Sequence, residues 1–205
     1  MVSPTETVRQ WVSDFVEKKE PKYSYKVLLI GDCVGKSSLL LRFYANDFIE
    51  DADMKLIPMT IGLDVKSKIL DIEGPGYKEQ VTLNIWDTAG QDRFRSLNGQ
   101  YLPSADAVIL LYDVRNLNSF KNCRYFVEDV EKFCDDDVVR ILVGNKDDSD
   151  DSLKVVSSQR AHDYAVSIGF KFLETSAKDN RNVFELFTKV AQLCFARQMQ
   201  MERLQ

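Results

Sequence analysis

No run of about 18 apolar residues occurs in the 205-residue chain, so no segment is expected to cross a bilayer as a helix. Residues 1–20, MVSPTETVRQWVSDFVEKKE, lack a basic start followed by an apolar stretch and do not read as a secretory signal. Cysteine is scarce: Cys33, Cys123, Cys134 and Cys194 lie far apart, without metal-ligand spacing. They are read as reduced thiols of a cytoplasmic protein. A basic excess is also missing. Lys and Arg number 27 against 32 Asp and Glu, for a net charge of −5, and no dense basic stretch appears. Nucleic acid is therefore not expected as a partner. There is no internal repeat and no low-complexity linker. What remains is 44% hydrophobic and 29% charged, an ordinary composition for a globular domain. The length suits one domain with a sizeable core.

Ser3-Pro4-Thr5-Glu6 reads as a helix start, with Ser3 as cap, Pro4 in the first turn and Glu6 closing a capping box. Val8, Trp11, Val12 and Phe15 follow at helical spacing, and the helix should stop near Lys18, before Pro21. So short a helix is marginal alone and is expected to cover part of the same domain; docking to a partner or membrane is the alternative. From Tyr25 strands and helices alternate. Strands are predicted at Tyr25–Ile30, Leu63–Ile72, Gln80–Trp86, Ala107–Tyr112, Val138–Gly144 and Phe170–Leu173. Glu73-Gly74-Pro75-Gly76 makes the second and third an antiparallel hairpin, and the apolar runs 107–112 and 138–144 read as strands buried on both faces. Helices are predicted at Lys36–Asn46, Ser119–Phe133, Ser157–Ile168 and Asn182–Gln200. The order implies a doubly wound α/β fold, a mostly parallel six-stranded sheet with helices on both faces. Ligands should bind beyond the carboxyl ends of its strands.

Directly after the first strand stands Gly31-Asp32-Cys33-Val34-Gly35-Lys36-Ser37. A glycine loop that runs into a helix and ends Gly-Lys-Ser is a phosphate cradle. Backbone N–H groups curl around the anion, Lys36 reaches the terminal phosphates and the Ser37 hydroxyl suits Mg²⁺. Candidate nucleotide-binding residues here are Gly31, Cys33, Val34, Gly35, Lys36, Ser37 and Ser38. Such loops carry four residues between their glycines, and this one carries three. Further along, Thr60-Ile61-Gly62 precedes the second strand and Trp86-Asp87-Thr88-Ala89-Gly90-Gln91 follows the third. Asp87 can hold the metal through water, Gly90 can offer its N–H to a terminal phosphate, and Gln91 can orient a water as the catalytic residue. Asn145-Lys146-Asp147-Asp148 follows the fifth strand, where the Asp148 carboxylate can accept from guanine N1 and its 2-amino group. Adenine lacks that donor pair. Asp150 and Asp151 read as a solvated acidic loop. Glu174-Thr175-Ser176-Ala177-Lys178 follows the last strand, and a backbone N–H among Ser176, Ala177 and Lys178 can reach the guanine carbonyl.

These segments, with Leu39-Leu40-Leu41-Arg42-Phe43 and Asp92-Arg93-Phe94, resemble the Ras superfamily of small GTPases over about residues 24–197, the Rab branch in particular. The resemblance implies a P-loop GTPase domain over 23–200, an N-terminal helical extension at 1–22 and a C-terminal end at 201–205. It implies GTP and GDP with Mg²⁺, Thr60 as a metal ligand beside Ser37 and Asp87, and Phe48 stacked on the base. Switch I, about Ile49–Val65, and switch II, Gln91–Pro103, would receive an exchange factor, a GTPase-activating protein and effectors. The implied protein is a monomer in vesicle traffic, cytoplasmic and at most peripheral on an endomembrane.

The chain departs from that pattern where partners bind. Switch I is lengthened, and Val65 stands where the branch has one of three effector-facing aromatics; Trp86 and Tyr101 remain. Tyr101-Leu102-Pro103 replaces Tyr-Tyr-Arg. The sequence ends Met199-Gln200-Met201-Glu202-Arg203-Leu204-Gln205, without the cysteine-bearing tail usual in the branch, so weak membrane attachment is expected of the chain as given. Two functions follow: a slow GTPase switch, favoured by the intact base-reading segments, and a Rab-like pseudo-GTPase interaction module, favoured by the short loop. An ATP-using P-loop kinase is disfavoured by Asn145-Lys146-x-Asp148.

Overall fold

The computed structural model describes residues 21–48, 63–88, 100–148 and 151–204. The expected N-terminal helix, Thr60, Gly90, Gln91 and most of both switch segments lie outside the described residues. Among those described, strands β1 (Tyr23–Ile30), β2 (Leu63–Gly74), β3 (Tyr77–Thr88), β4 (Ala107–Asp113), β5 (Val139–Asn145) and β6 (Lys171–Glu174) form a sheet in the order β2-β3-β1-β4-β5-β6. All neighbours pair parallel except β2 and β3, which form the expected antiparallel hairpin. Helices α1 (Lys36–Ala45), α2 (Leu117–Phe133), α3 (Ser158–Ser167) and α4 (Val183–Leu204) cover the two faces.

Alternation along the central strands divides the core. Val27 and Leu29 of β1 face one way, with Phe43 of α1 and Phe187 and Val190 of α4. Leu28 and Ile30 face the other way, with Phe126 and Val130 of α2 and Ala161 and Ala165 of α3. Every residue of β4 is buried, which explains its uninterrupted apolar run. The Phe43 and Phe187 rings stack with centroids 4.0 Å apart, tying α1 to α4.

Several elements extend past their expected limits for identifiable reasons. Helix α2 begins at Leu117 because the Asn116 side chain caps it, accepting from Asn118 N at 3.0 Å and Ser119 N at 3.3 Å. The hairpin strands run to Gly74 and from Tyr77, leaving only Pro75 and Gly76 in the turn. Gly76 has φ 82°, and Pro followed by a glycine of positive φ is the residue order of a type II turn. Helix α4 continues past Gln200 to Leu204. Phe195 holds it against the rings of Tyr23 and Tyr77, at 5.1 and 4.8 Å, and Gln192 Nε2 donates to Glu73 O at 2.9 Å. No helix among the described residues is long and apolar enough to cross a membrane.

Candidate functional site

Parallel pairing puts the carboxyl ends of β1, β3, β4, β5 and β6 on one edge of the sheet. Gly31, Asp87, Asp113, Asn145 and Glu174 stand at or next to these strand ends. Four of these five positions were singled out from sequence.

The loop from Gly31 to Gly35 closes despite its missing residue. Gly31 has φ 136°, and a Cβ there would stand 2.4 Å from Leu111 O. Gly35 has φ 83°, and its Cβ would stand 2.9 Å from Asn145 Nδ2. Positive φ favours glycine at both places, and at Gly31 a side chain would also collide with backbone. Cys33 takes a left-handed φ of 52° and its side chain is exposed. The Val34 side chain is 1% exposed and belongs to the core, so only its backbone is available to a ligand. Lys36 opens α1, is 4% exposed, and donates from Nζ to Gly31 O at 2.6 Å. Burial pushes its ammonium below the ordinary range, while Asp87, Cys33 and Asp32 pull it back. A cation so poorly hydrated gains much from a nearby anion. Ser38 is buried in the same turn.

The Ser37 hydroxyl donates to Asp87 Oδ2. Asp87 is 2% exposed, and its Oδ1 has no hydrogen-bond partner among the described residues. Burial raises its carboxyl pKa, opposed by Ser37 and Lys36. A hydroxyl and a buried carboxylate with an unsatisfied oxygen form a hard donor set, which fits Mg²⁺.

The segments that follow β5 and β6 meet this loop through Asn145. Its Nδ2 donates to Val34 O at 2.9 Å and Gly35 O at 3.4 Å, and its Oδ1 accepts from Thr175 Oγ1 at 3.2 Å. Lys146, with φ 62°, pairs with Asp113 at 2.9 Å, and its stem lies 3.6 Å from the Cβ position of Gly35. Asp148 Oδ1 accepts from Ser176 Oγ at 2.5 Å, and Oδ2 from Arg115 Nη2 at 2.7 Å. Arg42 Nε donates to Ala177 O at 2.7 Å and its Nη2 to Lys178 O at 3.2 Å, while its guanidinium lies 5.8 Å from the Phe48 ring centroid. Phe48 therefore stands on the side of Ala177 and Lys178. Ser37, Asp87, Lys36, Asn145, Asp148 and Ser176 are thus brought to one edge; Thr60, Gly90 and Gln91 lie outside the described residues.

Sequence reasoning missed the supports. Arg42, Asp113, Arg115, Lys154 and Arg181 each hold a site loop, and Asp147 is 6% exposed and paired with Lys154 and Arg181. Asp113 and Arg115 carried a usable signal, since they end and follow β4 at the carboxyl edge of the sheet. Arg42, Lys154 and Arg181 lie on separate segments, and their roles depend on distance in space alone.

The chain matches the Ras family over residues 26–196. It is 42% identical over 170 residues to the Ras-related protein RAB1BV of Beta vulgaris, covering 82% of this chain and 75% of that protein. It is 44% identical over 173 residues to the GTP-binding protein yptV2 of Volvox carteri, covering 84% and 76%. The GTP-binding protein ypt1 of Schizosaccharomyces pombe is 43% identical over 170 residues, covering 82% and 79%. With the sheet order, the cradle at Gly31–Ser37 and the loops at Asn145 and Ser176, these matches establish that the chain belongs to the Ras family of small GTPases, in its Rab branch.

Proposed function

We propose that this protein is a switch that binds GDP and GTP, hydrolyses GTP slowly and regulates vesicle traffic. The observation that supports it most is Asn145, whose amide joins the carbonyls of the phosphate cradle to the loop ending in Asp148. Phosphate and base recognition thereby belong to one bipartite site. Lys36 and the N-terminus of α1 hold the terminal phosphates, and Asp148 takes the two guanine donors. Backbone N–H groups of Ser176, Ala177 and Lys178 take the guanine carbonyl, Phe48 flanks the ring, and Gln91 orients the attacking water. Ser37, Asp87 and Thr60 are the residues that would hold Mg²⁺, which when bound supplies positive charge to the phosphate oxygens.

Slow turnover follows from the short loop. Every cradle residue from Gly31 to Lys36 is retained in a closed turn, which supports binding. The Cys33 side chain stands exposed on that turn, and in this reading it crowds the reacting phosphate. A misplacement of about 1 Å costs about a hundredfold in rate. Residues 23–200 form the GTPase domain in this reading, with 1–22 as a helical extension packed on it and 201–205 as its end. Exchange factor, GTPase-activating protein and effectors meet the two switches of a monomer, in the cytoplasm or peripherally on an endomembrane. Val65 is exposed on β2 and is paired in register with Trp86, whose ring lies 5.9 Å from Tyr101, a surface on which effectors would bear.

Denaturing the purified protein and separating the released nucleotide tests the binding. Guanine nucleotide is expected; adenine nucleotide, or no binding of added GDP, overturns the reading. Single-turnover hydrolysis at saturating protein tests the rate. A glycine inserted between Cys33 and Val34 should accelerate it, and equal rates would show that the short loop costs nothing.

A further inference from the structure

The loop after β4 and the loop after β5 are joined by two ion pairs of equal spacing. Asp113 Oδ2 meets Lys146 Nζ at 2.9 Å, and Arg115 Nη2 meets Asp148 Oδ2 at 2.7 Å. The mount beneath Arg115 is rigid. Its own N–H donates to Asp113 Oδ1 at 2.9 Å, Val114 N donates to Asn145 O at 3.0 Å, and Val155 N and Val156 N both donate to Val114 O. The Asp148 side chain is 14% exposed and that of Arg115 is 28%, so this is a half-sheltered pair rather than a solvated one.

We propose that Arg115 is a positioning residue for base recognition, fixing the Asp148 carboxylate in the orientation that discriminates guanine. The inference rests on the proposed role of Asp148 as the base reader. An ionised carboxylate has about four acceptor sites, two on each oxygen. Ser176 takes one on Oδ1 and Arg115 one on Oδ2. One site per oxygen remains, which matches the two parallel donors of guanine, N1–H and the 2-amino group. With Ser176 alone the carboxylate would be held by a single oxygen and free to turn about its terminal torsion, which is intrinsically soft. With both held, the torsion is settled before the base arrives. The planar guanidinium also suits this better than an ammonium would.

The full-length protein, stripped of nucleotide, tests this by titration with GDP and with inosine diphosphate, which lacks the 2-amino group. Arg115→Ala should weaken GDP about tenfold, as expected for one charge-assisted hydrogen bond, and weaken inosine diphosphate much less. The GDP preference should therefore fall, and Arg115→Lys should recover part of it at an unchanged melting temperature. A merely structural role would weaken both nucleotides equally and leave the preference intact, and that result overturns the proposal. Asp148→Asn separates the two levels. If it fails to exchange GDP for xanthosine diphosphate, the base-reader role itself is wrong. If it does exchange them while Arg115→Ala leaves the preference untouched, only the role of Arg115 is lost. In the Asp148→Asn background, adding Arg115→Ala should change xanthosine diphosphate affinity little.

Discussion

Lys154 Nζ stands 3.0 Å from Asp147 Oδ1, and the same ammonium reaches Glu174 Oε1 at 2.9 Å. The guanidinium of Arg181 closes on the other oxygen of Asp147. One carboxylate between Lys146 and Asp148 is therefore anchored to the segment that leads into α3 and to the turn that follows β6. Asp147 N donates to Thr175 O at 3.1 Å and reinforces the same junction.

Replacing Lys154 by Met should lower stability. The pair is mostly sheltered, with side chains 16% and 8% exposed. A value between surface and buried pairs, about 2 kcal/mol, is expected. For a chain of this size that is roughly a 4–8 °C fall in melting temperature. A change within error would place this cluster among pairs that contribute nothing.

The same lysine has a pH signature. Burial lowers its pKa, but hydrogen bonds to Glu174 and Asp147 raise it further, leaving it above the ordinary value. A raised folded pKa contributes stability that is complete below the unfolded pKa, about 10.4, and is lost as pH rises through the folded one. Denaturant midpoints from pH 8 upward should fall less steeply in Lys154→Met than in the parent. Equal slopes would contradict the assignment.

Gly35→Ala should harm nucleotide binding more than folding. The new methyl would stand 2.9 Å from Asn145 Nδ2, at a φ of 83°. The amide must then leave the cradle carbonyls, and the link between phosphate and base halves goes with it. A loss of GDP affinity of about tenfold or more is expected, with the melting temperature of the nucleotide-free protein changed far less. Titration calorimetry and a thermal melt read the two effects separately.

The thiols should divide by burial. Burial pushes Cys123 and Cys194 up to about 12, whereas Cys33 is exposed. The unfolded thiols ionise near 9, so between about 9 and 12 the folded chain holds protons that the unfolded chain releases, and stability falls as pH rises. At pH 8 a thiol reagent should modify Cys33 rapidly, and Cys123 and Cys194 only on unfolding. GDP with Mg²⁺ should protect Cys33; labelling at an unchanged rate under saturation would put Cys33 away from the nucleotide.

Arg42→Ala should accelerate GDP release. Its guanidinium holds the carbonyls of Ala177 and Lys178 at 2.7 and 3.2 Å and lies over Phe48. Losing these bonds frees the turn proposed to hold the base, and a roughly tenfold faster release is expected. Fluorescent GDP chased with unlabelled GDP reads the rate directly.

Sequence alone determined the order of strands and helices along the chain, the hairpin, and which segments reach the ligand-binding edge. The reasons are local. Period and apolar run length reveal strands and helices; Gly-Lys-Ser after a strand announces a phosphate loop; and an acidic residue just past a buried strand lies at the ligand edge. Limits were read less well, because a cap such as Asn116 extends an element beyond its pattern. Only tertiary structure decided that Val34 turns into the core, that Asn145 reaches the carbonyl of Val34, and that Asp147 is clasped by Lys154. It alone put Arg115 on Asp148, 33 residues away in sequence. Pairing of charges across separate loops has no sequence period, so it becomes legible only when the parallel sheet brings its strand ends to one edge.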